Sequence, residues 1–179
     1  ENQESQPGSR KSLVICDADA EQATLGSMLL VDVVADEVSQ ILRPAHFFYD
    51  GNKLVYESIC RLRNSGNPVD PMIVSQELES CGKLTLAGGN EYLMRLMDVV
   101  PHAANAKYYA TQVRSMYFRR QLRMLGVEAS EDAAKMHCEV GELLAAQSKK
   151  IHDLLEESVS EGVPDIATLA TRSLELSYE

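Results

Sequence analysis

The chain has 179 residues, 45% hydrophobic and 25% charged, enough for one globular domain that buries a core without disulfide or metal staples. With 17 Lys plus Arg against 27 Asp plus Glu, the net charge of −10 argues against a free-standing nucleic-acid binder, whose affinity comes from neutralising phosphates. No apolar run is long enough to span a bilayer, and the start, ENQESQPGSRKS, lacks the apolar stretch of a secretory signal, so a cytoplasmic setting is expected.

Residues 1–16 read as a polar, disordered lead with Pro7 and Gly8. A helical head is expected over 17–102. Its first helix opens at Asp19, with Asp19 and Glu21 near the positive end of the helix dipole and Ala23, Leu25, Met28 and Leu29 at helical spacing. Val34, Val38, Ile41 and Leu42 share one face of a second helix, which Pro44 ends. His46 to Gly51 is an aromatic turn whose Phe47, Phe48 and Tyr49 are expected to plug the core. A third helix runs from about Asn52 to Asn64. Asp70 and Pro71 then supply the cap and the first position of a fourth helix, which Gly82 stops. A short fifth helix carries Tyr92, Leu93, Leu96 and Met97, and Pro101 breaks it.

The character changes after Ala103. Phe118, Leu122, Leu125, Ala129, Ala133 and Met136 step by threes and fours, which predicts one helix of roughly 33 residues and about 50 Å. Val140, Leu144, Gln147, Ile151, Leu154 and Leu155 repeat that pattern after a short turn, so the two helices form an antiparallel hairpin over 103–157. Such a hairpin leaves apolar surface along its length, which a second chain would cover. Only the stretch from Ala103 to His137 is net basic, through Lys107, Arg114, Arg119, Arg120, Arg123 and Lys135. That face is expected to pair with the acidic neighbour helix, and otherwise to dock an acidic partner. Residues 158–179 read as a linker followed by the start of another amphipathic helix, carrying Ile166, Leu169 and Leu174. The fold class is therefore all-α: head, hairpin, linker helix.

No catalytic signature appears. There is no GxxxxGK[ST] phosphate loop, and Gly88-Gly89 is followed by Asn90-Glu91 with no Lys. The cysteines (Cys16, Cys60, Cys81, Cys138) form no CxxC pair. His137 adjoins Cys138 without two further convergent ligands, so neither a metal nor a cofactor is expected. The chain reads as an interaction module.

Three stretches carry a resemblance: DADAEQATLGSMLLVD (17–32), NPVDPMIVSQELESCGKL (67–84) and AGGNEYLMRLMDVVPHAANAKYYATQVRS (87–115). The order AEQ, LG, LL, PVD, GG, YL, AAN, YA and VR resembles the N-terminal domain of the DnaB-type bacterial replicative helicases. Asn52 and His102 depart from that pattern, where the family more often has His and Ser. The resemblance implies a non-catalytic domain that pairs through its hairpin, three pairs forming a collar above a hexameric ring. It also implies docking of the primase C-terminal domain and, in some bacteria, of a helicase loader. ATP, Mg and most DNA contact would belong to a separate ATPase domain, which makes the parent an ATP-dependent 5'-3' helicase. The residues expected in self-association are Phe118, Leu122, Leu125, Leu144, Ile151 and Leu155. Those expected in primase docking are Tyr109, Val113, Met116 and Arg120. The alternatives are the helicase-binding C-terminal domain of primase, which shares a related helical head and hairpin, and a generic helical interaction module.

Overall fold

A computed structural model of the chain describes residues 14–100, 102–135 and 139–160. Residues 1–13 of the expected lead, Pro101, residues 136–138 and the expected linker helix over 164–179 lie outside them. Seven α-helices form among these residues: α1 (Ala18–Leu30), α2 (Asp32–Ser39), α3 (Asp50–Asn64), α4 (Pro71–Ser80), α5 (Gly89–Asp98), α6 (Ala106–Ala133) and α7 (Val140–Ser160). Two 3-10 turns, Pro44–His46 and Ala103–Asn105, precede α3 and α6. The all-α class holds.

The head is built around α1, which packs against α2, α3, α5 and α6. Asp17 caps it, accepting from the Ala20 N–H at 2.9 Å. Because neighbours surround it, α1 buries polar as well as apolar residues. Thr24 and Ser27 return their hydroxyls to the Ala20 and Ala23 carbonyls at 2.7 Å, which lets both sit in the core without orphaned groups. Gly26 is where α5 comes closest: a Cβ there would lie 2.0 Å from the Leu96 carbonyl oxygen. The small residues in AEQATLGS are thus what allows α5 onto α1.

The rest of the head follows from local signals. Asp70 caps α4 by accepting from the Ile73 N–H at 2.9 Å, with Pro71 at the first helical position. Gly88 and Gly89 take φ of +100° and +74° at the start of α5, a conformation that costs other residues dearly. That double glycine is a backbone requirement of the turn. The second helix ends at Ser39, so Ile41 and Leu42 follow it in a turn. Leu42 is buried there, and its carbonyl accepts from the Tyr56 hydroxyl at 2.7 Å.

Two expectations about chain ends are corrected. Val14 to Cys16 are not a free lead: they lie along α6, where the Ile15 carbonyl accepts from Arg120 at 3.2 Å. The hairpin's second helix runs past residue 157 to Ser160, its end held by α6 as described below. The long helix is 28 residues, about 42 Å: 103–105 wind as a 3-10 turn before it, and it ends at Ala133.

Replacing Gly26 with Ala is expected to cost about 2–3 kcal/mol through overpacking against the Leu96 carbonyl, read as a lower urea midpoint at unchanged slope.

Candidate assembly and docking surface

The joint between head and hairpin begins with Glu21, whose side chain on α1 is 1% exposed. Its carboxylate accepts from the Phe48 N–H at 2.7 Å, the Tyr49 N–H at 3.5 Å and the Asn52 amide at 2.8 Å. Asn52 accepts in turn from the Tyr92 hydroxyl. Burial raises the Glu21 pKa, while these hydrogen bonds and nearby Arg120 lower it. Asn52 is therefore a built part of the head, tying α3 to α1 and α5.

This arrangement corrects the aromatic turn. Glu21 draws the Phe48 and Tyr49 amides inward, so their side chains turn out to the surface. Only Phe47 plugs the core, its ring 4.9 Å from that of Tyr56.

From the hairpin side, Arg120 donates to the His46 carbonyl at 2.6 Å and to the Ile15 carbonyl. Its guanidinium lies over the Phe48 ring. His46 is buried with its ring 4.7 Å from that of Tyr117. Its Nδ1 accepts from the Arg43 N–H at 3.1 Å. Arg114, also buried, donates to the Ser158 carbonyl at 2.8 Å. A cation at the C-terminal end of α7 suits the negative end of its dipole.

Within the hairpin, Tyr117 meets Glu157, Glu128 meets Lys150, and Asp132 meets Gln147, an antiparallel register. Leu143, Gln147, Leu154 and Ser158 of α7 are half-buried along this seam. The row expected as one seam therefore splits in two. Gln147 and Leu154 turn toward α6, whereas Val140, Leu144, Ile151 and Leu155 are exposed, joined by Val159. Leu122 of α6 is exposed too, and at 100° per residue it falls on the same face as Leu144, Ile151 and Leu155. Phe118 and Leu125 are half-buried at the edge of that face. Leu144 is 67% exposed, a high figure for a leucine on a regular helix.

The docking candidates divide as well. Val113 is 1% exposed and points into the head core, which removes it from any docking surface of this chain. Arg120 is engaged in the joint. Tyr109 and Met116 are half-buried, Met116 against the Val14–Cys16 segment. Sequence reasoning missed Val14, Ile15, Met124 and Val127, which lie off the repeating row and line a second apolar face. The apolar pair Val14-Ile15 was the one available signal.

The cations of the basic helix reach in several directions. Lys107 pairs with Glu37 of α2 at 3.3 Å, Lys135 with Asp132 in the last turn of α6, and Arg114 and Arg120 with backbone carbonyls. Across the hairpin, Lys150 of α7 pairs with Glu128 of α6. Among the described residues no cluster of three His, Cys, Asp or Glu could hold a metal ion, and no helix is long and apolar enough to cross a membrane. Cys16, Cys60 and Cys81 are thiols.

With this geometry in view, comparison with known proteins is decisive. The family described as DnaB-like helicase N terminal domain matches residues 15–115. The chain belongs to that family. The replicative DNA helicase DnaB of Leifsonia xyli is 36% identical over 162 residues, covering 88% of this chain and 35% of that protein. The DnaB of Geobacillus stearothermophilus is 30% identical over 155 residues, covering 87% and 34%. The chain thus spans about a third of the length of these relatives. The crystal structure of the DnaB N-terminal domain from Mycobacterium tuberculosis superposes with a TM-score of 0.73 at 33% identity, over 79% of this chain and 99% of that one. The Helicobacter pylori DnaB N-terminal domain shares the fold, with a TM-score of 0.56 at 23% identity over 64% of this chain and 89% of that one. Membership in the DnaB family separates the chain from the primase-side alternative.

The joint makes a pH prediction. Burial first, then the positive charges of Arg114, Arg43 and Arg120, depress the His46 pKa from 6.5 to about 4. The folded value lies below the unfolded one, so this contribution is complete above pH 6.5 and is lost as pH falls toward about 4. Wild type is expected to lose about 3 kcal/mol through that interval relative to His46→Asn, measured by urea unfolding at stepped pH. Glu21, raised by burial, works in the opposite sense and cancels in the comparison.

Proposed function

We propose that this chain is the assembly and docking domain of a replicative DNA helicase and carries no catalysis of its own. It pairs with a second copy through the exposed face of its hairpin, supports a hexameric ring as a trimer of such dimers, and docks the C-terminal domain of primase. A helicase loader is a further partner. ATP, Mg and DNA engagement belong to a separate ATPase domain of the parent helicase, which works in the bacterial cytoplasm.

The observation that carries this reading is the row of Leu122, Leu144, Ile151 and Leu155, large apolar side chains exposed on one face of a two-helix arm. Each such side chain is worth about 1.5–3 kcal/mol when fully buried, so a face-to-face pair of hairpins recovers several at once. Phe118 and Leu125 extend the contact at its edge. Tyr109 and Met116 remain as primase contacts, half-buried and near the joint. Support for primase as the partner comes from the family: the Helicobacter pylori DnaB N-terminal domain and another DnaB-like replicative helicase are each described together with their interactions with primase.

Light scattering at high micromolar concentration is expected to show a dimer or larger species. The Leu144→Ser/Ile151→Ser/Leu155→Ser variant should dissociate at least tenfold more readily while keeping its helical circular dichroism. A wild-type chain that is monomeric throughout would sink the pairing. Titration with the primase C-terminal domain of the same organism is expected to saturate, and ATP hydrolysis by the chain alone should not exceed background.

A further inference from the structure

The segment Val14 to Cys16 is the strongest feature left unassigned. It runs straight into Asp17, the cap of α1, yet it lies against the middle of α6. The Ile15 carbonyl accepts from Arg120 at 3.2 Å, and the Cys16 thiol lies 3.6 Å from the Tyr49 hydroxyl. The same guanidinium donates to the His46 carbonyl and lies over the Phe48 ring. Three pieces of chain, the lead, the aromatic turn and the long helix, thus meet at one cation. The lead is held there lightly, by a main-chain carbonyl, a thiol–hydroxyl contact and a half-buried Ile15. A segment that buries so little apolar surface opens locally at small cost while the rest of the fold stays closed.

Its outer edge reaches the pairing face. Val14, Ile15 and Cys16 share a depression of about 500 Å³ with Met116, Arg119 and Leu122 of α6. Leu122 belongs to the row assigned to self-association, and at 100° per residue Arg119 lies between it and Met116. Val14, beside this depression, is 59% exposed although apolar. A second hairpin laid over Leu122 therefore covers Val14 in the same contact. A partner that binds the segment only when it is closed shifts the segment toward closure.

We propose that Val14 to Cys16 form a strap across the joint between head and hairpin, and that a second copy of this chain closes it. Pairing presses Val14 onto α6. The closed strap keeps Arg120 between the Ile15 and His46 carbonyls and stiffens the joint. The inference rests on the pairing proposed above and adds a contact, Val14, and a consequence, a joint looser in the single chain than in the pair. Linkage makes the effect reciprocal: the factor by which pairing favours closure is the factor by which the strap favours pairing.

A chain lacking residues 1–16 tests this, alongside Val14→Ser/Ile15→Ser, which keeps the backbone and loses the apolar grip. Sedimentation equilibrium is expected to show both variants dissociating about tenfold more readily than wild type. Joint stiffness is read by double electron–electron resonance between spin labels on Cys81 of the head and on Glu142→Cys of α7. The labelled chains carry Cys60→Ser and Cys138→Ser, with Cys16→Ser where that residue is present, and are diluted into unlabelled chain so that each distance lies within one molecule. The distance distribution is expected to narrow as the strapped chain passes from single molecule to pair. In both variants it should stay broad even when they are concentrated enough to pair. Circular dichroism confirms that the variants are folded. Pairing that ignores both variants overturns the strap and leaves the pairing standing. So does a distribution of equal width with and without the strap, or one equally narrow in the single chain and the pair. A wild-type chain that is monomeric throughout overturns the pairing itself, and the coupling with it.

Discussion

One buried carboxylate holds the head in register with everything attached to it. Glu21 comes from the most enclosed helix, and what it grips is backbone at the start of α3. Isolated, such a charge would cost far more than the head could spare. Two main-chain amides and the Asn52 side chain replace its water, and Arg120 lies close enough to add attraction across the joint. The position of the aromatic turn follows from this grip. The carbonyl that Arg120 grasps, that of His46, lies just before the amides Glu21 holds. The direction in which the hairpin leaves the head is thereby tied to a side chain in the middle of α1.

The surface follows from the same bookkeeping of polar groups. Cations on α6 near the head are spent on carbonyl oxygens: Arg120 on Ile15 and His46, Arg114 on Ser158. Farther along, none of the described side chains of α7 is fully buried. Apolar side chains there face either the partner helix or solvent. The arm is held to itself by a thin seam with half-buried Leu125, Leu143 and Leu154, leaving two apolar faces. That division suits a part whose contacts lie mainly with other molecules.

Much of this was legible in the sequence. Local sequence signals located each α-helix among the described residues, Asp70-Pro71 fixed the start of α4, and the family motifs were carried by residues with visible jobs. Glu21 of AEQ is the buried acid, the LG glycine is the contact with α5, and the VR arginine is the pin on α7. What could not be read was which side of a helix faces what. Leu144 and Leu154 are the same residue type on one helix, yet one is exposed and the other turns to the seam. Only the register with α6 decides between them. Val113 was a docking candidate by its position on the long helix, but the head covers that part of α6. Phe48 and Tyr49 looked like core because they are aromatic. Their outward turn depends on a carboxylate 27 residues earlier, a distance at which no local pattern operates.

The pin from Arg114 to the Ser158 carbonyl brings the end of α7 back to where α6 emerges from the head. Both helices of the hairpin are therefore fastened at one end, and the arm behaves as a lever with its fulcrum at the joint, about 20 Å from Arg120 to the end of α6. A rotation of 10° or so at the His46–Arg120 contact, an adjustment of an ångström or two there, carries the far end of α6 through about 3–4 Å. Small repacking between head and hairpin is thus magnified where neighbouring molecules would feel it most.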